Sequence, residues 1–131
     1  MKKYELSDEY IEDDGKRFYR VRALKDFPGV KAGDMGGYIE REENLSQNGN
    51  CWIYNDAMVK DFACVRDDAH ISGRSKISGH AIIYGKACVC EDARVFGNAR
   101  VFGNAKVRGE AIVRDDAVIC DDAFVIDRCC V

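Results

Sequence analysis

The chain has 131 residues, 47% of them hydrophobic, and a formal charge of −3. That size fits one domain, and a near-neutral balance excludes a strong global field for nucleic acid or anionic membrane. No apolar run reaches membrane-span length and the start, "MKKYELSDEY", lacks the apolar core of a signal peptide, so a soluble cytoplasmic protein is expected.

Residues 1–44 form a segment of their own. "KRFYRVRAL" alternates well enough for a strand, and "DFPGV" and "AGDMGG" carry the Pro and Gly of turns. "GGYIE" reads as a second short strand. A coiled β structure exposes core and unpaired backbone at its end, so residues 1–44 are expected to cap the unit that follows.

From Leu45 to the C-terminus a period of six is expected, with no insertion. A small residue recurs at Ala57, Ala63, Ala69, Ser75, Ala81, Ala87, Ala93, Ala99, Ala105, Ala111, Ala117 and Ala123. Two places later stands Val or Ile, from Val59 and Val65 through Val101 and Val107 to Val125. Such self-similarity fixes an architecture before any other signal is read. In one unit, Ala93 and Val95 share a strand face while Arg94 and Phe96 take the other. Gly97-Asn98 then turns the chain, because Gly and Asn tolerate positive φ. Isolated two-faced strands this short bury little. Wound into a coil, each Ala and Val stacks on its counterpart one coil away, at about 4.8 Å. Three six-residue sides give about 18 residues per triangular coil, and residues 45–131 hold a little under five coils, a stack of roughly 22 Å at strand spacing.

This repeat resembles the hexapeptide-repeat left-handed parallel β-helix, an all-β fold. The left hand is implied by that resemblance, since the general rule for parallel crossovers favours the right. Hexapeptide repeats usually place Gly directly after the branched residue; here Gly or Asp comes one place later. The run "DFPGVKAGDMGGYIEREENLSQNGNCWIYNDA", residues 26–57, followed by the repeat, is similar to the YdcK-like proteins. The resemblance implies a bacterial or prophage-encoded β-helix, a type often labelled transferase or acetyltransferase.

With residues 18 apart stacked, the outside can be mapped. One face carries a basic stripe of Lys60, Lys76, Arg94 and Arg114, a candidate anion or partner site. A second carries Ile82, Tyr84, Phe102, Val118 and Cys120, an outward apolar patch bordered by Arg66 and Arg100. Outward aromatics on a small protein mark an interface, so self-association is expected. The resemblance favours a trimer, with a dimer also open. The last hexad breaks off at "DRCCV" with no capping segment, and subunit contact is expected to cover it. Phe96 is the only aromatic beside the stripe, which speaks against nucleic acid. The Asp pairs at 67–68, 115–116 and 121–122 read as ordinary turn residues.

Chemistry-bearing residues are sparse. His80, at a corner, is the candidate general base, with Phe62, Asn98 and Asp116 as its expected stacked neighbours. On the third face, with Trp52 and Tyr54, His70 stacks over Cys88, with Cys90 beside it. Imidazole and thiolate bind zinc, yet Ser72, Lys106 and Arg108 around them add no ligand. Seven cysteines without a C-x-x-C spacing are expected as free thiols. The expected function is a non-enzymatic protein-binding or scaffold module without metal or cofactor, with a host-directed partner in view of the prophage resemblance. The alternative is an acetyl-CoA-dependent acyltransferase with a site between subunits.

Overall fold

The computed structural model describes residues 2–126. A long antiparallel hairpin opens the chain: β1 (Tyr4–Asp13) and β2 (Lys16–Ala23). Its two-residue turn is Asp14-Gly15, at φ 54° and 77°, the backbone that Asp-Gly favours in hairpins. β3 (Met35–Ile39) pairs antiparallel with β2, and a single 3-10 turn spans Glu42–Asn44. Thirteen two-residue strands follow, from Trp52–Ile53 to Phe124–Val125. They form a three-sided parallel β-solenoid of about five turns, and no α-helix occurs among the described residues.

The period sets the three sheets. Cys88 pairs with His70 on one side and Lys106 on the other, and Val101 pairs with both Ile83 and Ile119. Each pairing is offset by one coil, so like residues stack on like. The inward side is almost closed: Ala81, Ala87, Ala93 and Ala99 and the branched Ile83, Val89, Val95 and Val101 are all 0% exposed. Small residues, mostly Ala with Ser75 and Cys51 among them, sit next to the corner, and the branched residue fills the middle of each side. In the last described turn the seal loosens, with Ala123 exposed.

Every corner starts in the left-handed region, at Gly97 (φ 72°), Gly103 (φ 69°) and Asp115 (φ 57°), for example. A Cβ on Gly97 would lie 2.7 Å from the backbone nitrogen of Asp115 in the next coil. The acidic corner residues therefore act as turn residues with a second use. Asp61 and Asp67 accept hydrogen bonds from Gly79 N–H and Gly85 N–H one coil on, both at 3.1 Å.

The division expected at Leu45 does not coincide with the start of the coil. β3 already pairs in parallel with Met58–Val59, matching Tyr38 to Met58 and Ile39 to Val59. Leu45 bridges to Val65, whereas Trp52 pairs with His70. Ile39 and Leu45 thus occupy the branched slot at the usual spacing of six. Two extra residues then enter at Ser46–Asn50 before Cys51 takes a small slot. The uninterrupted hexad runs from Cys51, and the hairpin extends one sheet of the solenoid: β1, β2 and β3 continue into four coil strands.

A side-chain plug closes this end. Trp52, expected on the outer face, is 1% exposed and meets Tyr4 and Phe27 edge-on at centroid distances of 6.2 and 5.3 Å. Met58 is buried too. The covering segment, which lies outside the repeat, buries two outward-facing positions that stay in register with His70 and Lys76. Room for it comes from Gly36, where a Cβ would lie 2.5 Å from the Ile53 carbonyl oxygen and 2.9 Å from the indole. Buried Asn44 donates to the Ala63 carbonyl (2.8 Å) and accepts from the Arg41 N–H (2.9 Å). Arg20 lies over the Tyr38 ring at 4.4 Å and reaches Asp56 and the carbonyls of Gly36 and Asn55.

Candidate functional site

The outward patch of Ile82, Tyr84, Phe102, Val118 and Cys120 contains a column of stacked rings. Tyr84 and Phe102 lie parallel, 4.8 Å apart at 8°, with the Arg66 guanidinium 4.9 Å over Tyr84. The one-coil register forces this stacking, because every outward side chain has a copy of its own position at strand spacing. Stacked rings and a cation over a ring face are favourable contacts. They leave Tyr84 and Phe102 half-buried, and Cys120 as well, while Val118 is 56% exposed. Ile82 and Val118 do not touch in register: Arg100 pairs with both and stands between them. The patch is thus an aromatic column beside a mixed one of Cys64, Ile82, Arg100 and Val118, rather than a continuous apolar sheet.

A second stack runs along the neighbouring corner. Arg41 lies 4.9 Å over the Phe62 ring, and Phe62 stacks on His80 at 5.1 Å and 9°. Asn98 donates to Asp116 at 3.4 Å farther along. The sequence placed Phe62 beside His80, and the structure joins them. Arg41 was not anticipated, because it lies before the strict repeat. Phe62, Cys64, His80, Ile82, Asn98 and Arg100 line an open cleft of about 470 Å³. Phe62, 63% exposed, forms its rim.

The basic stripe is not one column. Lys76 and Arg94 pair in register, but Lys60 and Arg114 belong to the adjacent column, separated by Ser78 and Phe96. The groove beside Lys76 and Arg94 is also lined by Arg74, Asp92, Glu110 and Ile112, and Arg74 pairs with Asp92 at 3.2 Å. Carboxylates at that corner offset the cations, so the field there is mixed.

On the third face His70 pairs in register with Cys88, and its ring meets Tyr54 edge-on at 5.6 Å. No group of three or more His, Cys, Asp or Glu able to hold a metal ion occurs among the described residues. Burial pushes the Cys90 thiol up, and the nearby Glu91 adds to it against the weaker pull of Arg108 and Lys106. Burial likewise raises Cys64 despite Arg66. Raised thiols hold little thiolate, the reactive form. The five described cysteines are free.

Residues 93–110 match the family model described as the YdcK β-solenoid repeat. A 63-residue stretch is 48% identical to "Uncharacterized acetyltransferase YdcK" of Escherichia coli (strain K12). The match covers 42% of this chain and 19% of that relative, so the chain spans well under two thirds of the protein it resembles. The matched repeat, residues 93–110, lies on coils whose register and corners are those described above, and over these stretches the chain is similar to the YdcK β-solenoid proteins.

Proposed function

We propose that this chain is a binding module that associates with a second copy of itself through the Arg66–Tyr84–Phe102 column. The single observation that carries this reading is the outward aromatic stack on a shaft whose interior is already complete. Rigid strands hold the two rings parallel before any partner arrives, so little side-chain entropy is lost on docking. The flanking Arg66 and Arg100 suit a polar rim around aromatic anchors. No cofactor is needed for this function. Light scattering on a sizing column tests it: the intact chain at high micromolar concentration should exceed monomer mass. Tyr84→Glu with Phe102→Glu should return it to monomer with its circular dichroism unchanged. A wild-type monomer, or a double variant that keeps its mass, would refute the reading.

The relative's name supports a second reading, an acyltransferase using acetyl-CoA. Its residues would be those of the corner cleft, with His80 as general base. Stacking on Phe62 orients the imidazole but supplies no carboxylate to fix its tautomer, and a positioned base alone contributes about 10²–10⁴-fold. Saturable acetyl transfer lost in His80→Ala, together with a thermal shift on adding acetyl-CoA, would move the assignment to this reading.

A further inference from the structure

Lys3 is 1% exposed, which is costly for an ammonium group. Its Nζ donates to the carbonyl oxygens of Cys51 (2.7 Å) and Gly49 (3.3 Å) and lies 3.3 Å from the Cys51 sulfur. Cys51 is 0% exposed. Its Sγ is otherwise surrounded by the carbonyls of Ser46, Asn48 and Val65, at 3.6–3.7 Å. The Phe27 ring, 5.2 Å from the Nζ, closes the apolar side. An amine and a thiol are thus held in contact, away from water, by the cap on one side and the first uninterrupted hexad on the other. Burial lowers Lys3 and raises Cys51, each opposed by the other's charge, so both groups are drawn toward the uncharged forms.

We propose that Lys3 and Cys51 are a redox modification site at which dioxygen inserts one oxygen to form a covalent sulfur–oxygen–nitrogen bridge. The S–H bond and one N–H bond break, and an S–O and an O–N bond form. The two hydrogens leave as water with the other oxygen atom, while the nitrogen keeps its second hydrogen. Sulfur and nitrogen each give up two electrons, and these reduce dioxygen fully. The sulfur reaches the sulfenyl level of the thiol oxidation ladder and is held there by the bond from its oxygen to the nitrogen. The bridge ties the residue preceding β1 to the small slot that opens the repeat. It closes a long loop and restricts the unfolded chain as a disulfide does.

Intact mass of the full chain reads the outcome directly. Protein kept in a thiol reductant under nitrogen is compared with protein exposed to dioxygen after the reductant is removed. The oxygenated sample should gain one oxygen less two hydrogens. Proteolysis should yield a joined peptide holding both Lys3 and Cys51, and reductant should separate it. Its melting temperature should rise and fall with the bridge. Lys3→Arg, which keeps a cationic donor without an amine able to bridge, should lose both the mass change and the joined peptide. Oxygen found on cysteines with no peptide joining Lys3 to Cys51 would overturn the proposal, as would an unchanged mass. Both of these results are read on wild-type protein, so a variant that fails to fold does not remove them.

Discussion

The solenoid from Cys51 to Ile126 and the fifty residues before it solve one problem in opposite ways. In the solenoid each turn buries the same small and branched pair, and each turn's backbone hydrogen bonds repeat those of the last, as in Cys64 N–H to Ala81 and Ile82 N–H to Ala99. The unit is interchangeable, and its stability is a sum over neighbouring turns. The cap is held by contacts made once: Tyr4 and Phe27 on Trp52, Arg20 on Tyr38, Asn44 on Ala63, Lys3 on Cys51. A periodic shaft needs an aperiodic end, because only unlike residues can cover a stack that otherwise continues.

That contrast can be broken in graded ways. The largest effect is expected from Val101→Asp. A carboxylate would enter a fully buried slot between Ile83 and Ile119, costing more than about 3 kcal/mol in urea unfolding. Trp52→Ala should cost about 3–5 kcal/mol, the loss of a large buried aromatic. Ile83→Val, one repeat unit among many, should cost only about 1 kcal/mol. Equal losses at Trp52 and Ile83 would erase the distinction between unique cap and shared shaft. Gly97→Ala should follow with about 1–3 kcal/mol, because φ is 72° and the new Cβ meets the next coil. Asp115→Gly should be close to neutral by the same melt, since that corner already sits at φ 57°.

The smallest effect concerns pH. Asp61 joins the two regions: Lys16 of β2 donates to it at 3.0 Å, and Gly79 N–H donates from the next coil. The Lys16 hydrogen bond, foremost, holds its carboxyl below the usual value. A depressed folded value means that its contribution is present above the unfolded pKa of about 3.9 and lost as pH falls through the folded one. Asp61→Asn should therefore lower stability near neutrality and flatten the acid limb of the melting-temperature profile. An acid limb identical to wild type would exclude that linkage.

What could be read in advance follows the same division. Inward Ala and Val positions, the stacking of Tyr84 on Phe102 and that of Phe62 on His80 all follow from a constant period, which converts sequence spacing into contact. The strands at "KRFYRVRAL" and "GGYIE" were legible from alternation and turns. β1 was missed, although Asp14-Gly15 between two strand-like runs is the signal that could have found it. The start at Leu45 misjudged the boundary because two extra residues at Ser46–Asn50 hide the hexad of Ile39 and Leu45. Trp52 stands on the face expected of it, in register with His70, but its burial was not legible because nothing in a repeat states what lies over its first turn. The basic stripe failed for another reason: Lys60 and Lys76 share a face but not a column. The expected subunit contact at the last hexad falls on residues 127–131, outside the described residues.

The central claim is that the cap is part of the solenoid's first turn and opens with it. Hydrogen exchange on the intact chain, followed by mass spectrometry or NMR, tests this most directly. The Tyr38 N–H donates to Ala57, Trp52 N–H to Ala69 and Met58 N–H to Ser75, across the seam and into the shaft. These three amides should exchange together, with the same opening free energy and the same response to denaturant. Free exchange at Tyr38 and in β2, with Met58 and the turns beyond it still protected, would show a cap that opens on its own and would contradict the account.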